Sequence, residues 1–300
     1  MTTQPRLESL VCPHPHGQHR MAWWSWGAQD AAHVVVCVHG LTRQGRDFDR
    51  LAQALVQRSA APLQVICPDV VGRGQSEWLS DPMGYQVPQY AADMLALLGE
   101  RAIRAPIGQL DWVGTSMGGL IGMVLAGQPG LPLPSPIRRL LLNDVGPVSN
   151  WPAILAMKEY VGRYGVYASE AEAALALRAL STGFGPVPDA EWLELTRPML
   201  RPVAGGLTLH YDPALGESVR QVTPEIAQQA EAALWGLYDQ IRAETLLIRG
   251  QDSQLLSPET AEHMTRRGPQ ARCEVWPGVG HAPTLTLPEQ IDSVARFLLG

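Results

Sequence analysis

The sequence predicts an α/β protein: a mostly parallel central sheet flanked by helices, with an inserted helical cap. Two observations lead to it. Four short apolar runs, His33 to Val38, Leu63 to Cys67, Leu110 to Val113 and Arg139 to Val145, are each bounded by turn residues, as strands buried on both faces are. Segments of helical length and pattern lie between them, at Phe48 to Arg58, Val87 to Arg104 and Met117 to Gly127, and such alternation builds a sheet covered by helices.

The later elements follow the same logic after a gap. Thr245 to Arg249 and Cys273 to Trp276 read as two further strands, and Pro288 to Leu299 as a closing helix. Residues 146–242 have a different texture, with helical stretches such as Trp151 to Tyr164, Glu170 to Leu180 and Glu225 to Tyr238 broken by Gly/Pro clusters like GFGPVPD. We therefore divide the chain into a core, residues 1–145 and 243–300, and a cap, residues 146–242. Aromatic residues are frequent in the cap, and most are expected to form its own interior rather than to touch a ligand.

Composition narrows the function. With 46% hydrophobic and 17% charged residues among 300, the chain has enough apolar material for a sizeable core and is not disordered. Net charge is −6 and no Lys/Arg run occurs, so the basic footprint of a nucleic-acid partner is missing. The N-terminal MTTQPRLESLVCPHPHGQHR lacks a basic stretch followed by a continuous apolar one, and no later run is long and apolar enough to span a bilayer. These features point to a cytoplasmic protein with no membrane partner; no pattern speaks to oligomeric state. Cys12, Cys37, Cys67 and Cys273 have no ligand spacing, and His14, His16 and His19 alternate with Pro and Gly, as a loop or early hairpin would. No metal is expected.

The segment LDWVGTSMGG carries the strongest chemical signal. Gly114, Ser116 and Gly118 form GxSxG directly after a strand run and directly before a helix pattern. A nucleophile on so sharp a turn needs small neighbours, and the helix that follows directs its positive end toward developing negative charge. A second element, VVVCVHGLTRQG, is a strand ending in His39, Gly40 and Leu41; a third, CPDVVGRGQSEW, contains Asp69, Gly72, Gly74 and Ser76; the chain closes with WPGVGHAPTLTLPEQI.

Together these elements resemble the α/β-hydrolase family. The resemblance implies that Ser116 is the nucleophile, that His281 is the general base, and that the N–H groups of Leu41 and Met117 bind the oxyanion. The chain order Ser, acid, His leaves two candidates for the acid. Asp252, just after the penultimate strand run, is favoured, although the family's common form would put an Asp at the next position, Ser253. Asp144, in LLLNDVGP at the end of an earlier strand, is the alternative, since a carboxylate can orient the imidazole from either strand. His39, Gly40, Trp151 and Tyr160 are candidates for the substrate pocket.

The resulting expectation is a serine hydrolase for carboxylic esters, short or hydroxyacyl ones included, acting through an acyl-enzyme on a small-molecule ester without a cofactor. Two alternatives stand beside it. Hydrolases of carbon–carbon bonds in ring-fission products share the SMGG segment, but typically have Asn before the Ser and Trp after the GH, where this chain has Thr115 and Ala282. Members with a silent site serve as small-molecule receptors.

Overall fold

The computed structural model describes residues 4–148 and 150–300. The core strands form where the sequence is a continuous apolar run. β1 (Arg6–His14) and β2 (Gly17–Gly27) precede β3 (His33–Val38), α1 (Asp49–Arg58), β4 (Leu63–Asp69), α2 (Val87–Arg104), β5 (Gln109–Thr115), α3 (Met117–Gly127) and β6 (Ile137–Asn143). After α4 (Trp151–Tyr160), α5 (Glu170–Leu180), α6 (Asp189–Thr196), β7 (Leu200–Val203), β8 (Gly206–Leu209), α7 (Leu215–Arg220) and α8 (Pro224–Tyr238), the sheet resumes. It does so with β9 (Glu244–Gly250), α9 (Pro258–Arg266), β10 (Arg272–Trp276) and α10 (Pro288–Leu299).

Eight strands make one sheet in the order β1-β2-β4-β3-β5-β6-β9-β10. The ladder from β4 to β10 is parallel, and β2 alone runs against it, pairing antiparallel with both β4 and β1. The reason β3 reads as unbroken Val and Cys is visible in its packing. Val34, Val36 and Val38 enter one core with Met94 of α2 and Ile121 of α3, while Val35 and Cys37 enter the opposite core with Leu51 of α1 and Val294 of α10. Both faces of the strand are buried, so period-2 alternation has no polar partner to alternate with.

Of the two readings open for the His-containing N-terminal stretch, loop or early hairpin, the structure has the hairpin, and His19 Nε2 lies 3.0 Å from Asp93 Oδ2 of α2, which braces the hairpin to the core. Two features differ from the sequence expectation. The first cap helix ends at Tyr160 because Gly162 turns the chain at φ 81°. The cap segment also contains the two-stranded hairpin β7–β8, and its last helix, α8, packs on α3 of the core. Among the described residues no helix is long and apolar enough to cross a membrane.

Candidate active site

Ser116 sits between β5 and α3 with φ 51° and ψ −117°, a conformation that costs an L-residue on the order of 1–3 kcal/mol and that the surrounding structure must hold. The flanking glycines explain how. A Cβ on Gly118 would lie 2.0 Å from the Val38 carbonyl oxygen of β3, and one on Gly114 would lie 2.4 Å from the Gly118 backbone, so no larger residue lets this turn close onto the sheet. The Ser116 N–H donates to Asn143 O at 3.0 Å, while the Asn143 side chain donates to Thr115 Oγ1 (3.0 Å) and Pro283 O (2.8 Å). One amide thus joins the elbow, β6 and the loop bearing His281.

His281 connects two partners. Its Nδ1–H donates to Asp144 Oδ2 at 2.7 Å, and Ser116 Oγ–H donates to its Nε2 at 2.9 Å. Asp144, with a fully buried side chain, directly follows β6 at φ 55°, and that turn directs its carboxylate across the sheet end. Oδ1 accepts from the Gly250 N–H (2.9 Å), and Oδ2 also accepts from Ser253 Oγ (2.7 Å). A buried carboxylate requires such donors, because desolvation without them is costly.

The favoured acid, Asp252, is not the imidazole's partner. It is exposed, and its backbone serves the site instead, with its N–H donating to Val279 O at 2.9 Å to hold the end of β9 against the segment leading to His281. The position where the resembled family would have its carboxylate is Ser253, whose hydroxyl supports Asp144 from across the strand end. Sequence spacing could not decide between the two aspartates, since either strand terminus abuts the same imidazole.

Leu41 follows β3, and Met117 opens α3, where the first N–H groups have no intrahelical acceptor. Both flank Ser116 in the cleft. A residue overlooked in the sequence ties them together. Arg73 is fully buried, and its guanidinium donates to Leu41 O (2.8 Å), to Val71 O (2.6 Å) and to Met117 Sδ (3.4 Å), with the Tyr90 ring 4.9 Å away. Among the described residues it has no carboxylate within ion-pair distance. The signal for it was a charged residue between two glycines in an otherwise apolar loop, VVGRG.

Two of the four pocket candidates line the main cavity. Gly40 and Tyr160 do. His39 does not: it is fully buried and borders only a small void of about 40 Å³. Its Nδ1–H donates to Gly40 O (2.7 Å) and its Nε2 accepts from the Val70 N–H (2.9 Å), and burial depresses its pKa to about 3, so it stays a neutral brace. Trp151 lies outside the cavity, with its ring 5.3 Å from Lys158 Nζ.

The cavity over Ser116 has two arms of similar volume, about 310 and 300 Å³, which share Leu41, Ser116, Met157 and Leu255. Among the described residues the one grouping of potential metal ligands is Cys12, His19 and Asp93, beneath the β1–β2 hairpin and outside both arms. Burial and the adjacent Asp93 push the Cys12 thiol up to about 12, which opposes the thiolate a metal would need.

Comparison with known proteins agrees with this architecture. Residues 35–294 match the model of the alpha/beta hydrolase family. A 3-hydroxybutyrate-oligomer hydrolase of Cupriavidus necator is 44% identical over 304 residues, covering 100% of both chains. An sn-1-specific diacylglycerol lipase of Mus musculus is 28% identical over 88% of this chain and 80% of its own. Among solved structures, an alpha/beta hydrolase from Novosphingobium aromaticivorans superposes with a TM-score of 0.82 at 30% identity, covering 99% of each chain. The chain belongs to the alpha/beta hydrolase family, and it is a hydrolase.

Proposed function

We propose that this hydrolase cleaves carboxylic esters of hydroxy acids, short 3-hydroxy-acid oligomers above all, through an acyl-enzyme on Ser116. The observation that carries the reading is the hydrogen-bonded chain from Ser116 Oγ through His281 to Asp144, opening into a cavity with an arm on either side of the nucleophile. The 44% identity to the oligomer hydrolase of Cupriavidus necator supports the substrate class.

In this mechanism His281 Nε2 takes the proton of Ser116 as Oγ attacks the ester carbonyl. Asp144 holds the imidazole in the tautomer that leaves Nε2 free to accept, and stabilises the imidazolium that forms. The N–H groups of Leu41 and Met117 receive the oxyanion. His281 then protonates the leaving alkoxide; water, activated by the same imidazole, releases the acid and restores Ser116. Residues 146–242 serve as the lid that bounds the substrate. Four free cysteines, three of them buried, support placing the protein in the reducing cytoplasm.

The test is hydrolysis of p-nitrophenyl butyrate and of the 3-hydroxybutyrate dimer and trimer by the wild type and by Ser116→Ala, with an activated phosphonate as the site label. Wild-type turnover of aryl ester and oligomer, lost by several orders of magnitude in the variant, and a single phosphonate adduct at Ser116 are the expected results. Labelling at Ser76 or Ser257 would overturn the nucleophile, and turnover of the aryl ester with none of the oligomers would overturn the substrate class.

A further inference from the structure

The two arms of the cleft differ in charge. The smaller arm, which reaches Met117, Leu120 and Val145, is lined by no Asp, Glu, Lys or Arg among the described residues; Arg73 lies behind Leu41, Met117 and Tyr90 of this lining, fully buried and turned to the Leu41 and Val71 carbonyls. The larger arm has no Asp or Glu either, but it holds two cations, Arg43 and Arg163, and it alone is lined by His281.

These cations are not equivalent. Arg43 is already committed, donating from Nε (2.6 Å) and Nη2 (2.8 Å) to both oxygens of Asp47. Among the described residues Arg163 pairs only with Glu159, at 3.6 Å, and both side chains are largely exposed, at 64% and 78%. Such a pair is worth little and exchanges readily for another anion. The backbone beneath Arg163 is nevertheless firm. Its N–H donates to Tyr160 O at 3.0 Å, and the preceding Gly162 donates to Tyr211 Oη at 3.2 Å. Any Cβ at Gly162 would lie 2.2 Å from Pro213 O, so the turn lies flush against its neighbour.

Chemistry assigns the direction. When the acyl C–O bond breaks, the electron pair stays on the alcohol oxygen, which takes its proton from His281 Nε2 and must therefore lie on the His281 side. In an ester between two hydroxy acids, the alcohol half carries the free carboxylate. We propose that the larger arm takes the alcohol half of the substrate with its carboxylate on Arg163, and that the uncharged arm takes the acyl half, so that the cleft reads the polarity of the ester. This rests on the ester reading above and adds to it a direction and a recognition residue.

Two isomeric monoanions separate the possibilities: 3-(butanoyloxy)butanoate, with its carboxylate on the alcohol side, and sec-butyl hydrogen succinate, with its carboxylate on the acyl side. Neutral sec-butyl butyrate serves as the third probe. The wild type is expected to favour the first isomer over the second by about tenfold or more in kcat/KM, mainly through KM. Arg163→Gln should collapse that ratio, Arg163→Lys should retain part of it, and Arg163→Glu should invert it. Equal use of the isomers, preference for the succinate ester, or a ratio that survives Arg163→Gln overturns the assignment while leaving the ester reading intact. Failure of the wild type on all three probes overturns both.

Discussion

The floor of the cleft and the segment above it are held by different means. On the floor, each reactive group has buried partners: Asp144 receives three donors, His281 is bonded at both nitrogens, and Ser116 is clamped by its backbone to β6. Above it, α4 buries only Ile154, and Leu155 and Tyr160 are each 46% exposed. The chemistry requires atoms fixed to within a fraction of an ångström, and dense hydrogen bonding supplies that; a substrate lid needs only an apolar lining and freedom to move. Changes in the floor should therefore lower kcat, and changes above it should redistribute substrate preference.

The largest effect expected from this contrast, short of losing the nucleophile or its acid, is at Arg73. Arg73→Met removes the donors that join Leu41 O to Met117, and a loosening of the proposed oxyanion site should lower kcat by roughly ten- to a hundredfold with KM little changed. Arg73→Lys, which keeps the charge without the fork, should recover only part of the loss. A drop in Tm with kcat intact would show Arg73 to be merely structural. Ser253→Ala comes next. It takes one donor from Asp144 but leaves Gly250 and His281, so a loss of about 1 kcal/mol, roughly a fivefold fall in kcat, is expected in single-turnover assays. No change would mean that the Gly250 amide alone holds the carboxylate. The smallest effects belong to the cap segment. Tyr160→Ala should shift chain-length preference by less than about tenfold across an acyl-length panel, whereas Trp151→Ala, outside the cavity, should leave the profile as it was. A shift from Trp151 equal to that from Tyr160 would break the distinction between lining and scaffold.

What the sequence reveals follows the same division. β3, β4, β5, β6 and β9 read as apolar runs because both faces are covered, and Ser116 stands at a turn whose glycines the close approach of the backbone requires, while His281 directly follows Gly280. Local pattern suffices there. The acid is different: Asp144 and Asp252 both follow strands that end at the site, and only the donors across the strand ends, Gly250 N–H and Ser253 Oγ, decide which carboxylate is held. Arg73 resembles a turn residue until its tertiary partners are seen, and the mixture of His, Trp and Pro in the first strands, with no clean alternation, leaves loop and hairpin undivided there until β2 is seen paired to β4. Contacts between residues distant in sequence leave no periodic trace.

The most direct test of the account is a comparison of Asp144→Asn with Asp252→Asn, each assayed for kcat on p-nitrophenyl butyrate and checked for folding by circular dichroism. Asn at position 144 forfeits the carboxylate that fixes the His281 tautomer and stabilises its charged form, and a loss on the order of 10⁴ is predicted. Asp252→Asn, altering an exposed side chain, should retain near wild-type turnover. Collapse of Asp252→Asn with Asp144→Asn still active would contradict the account.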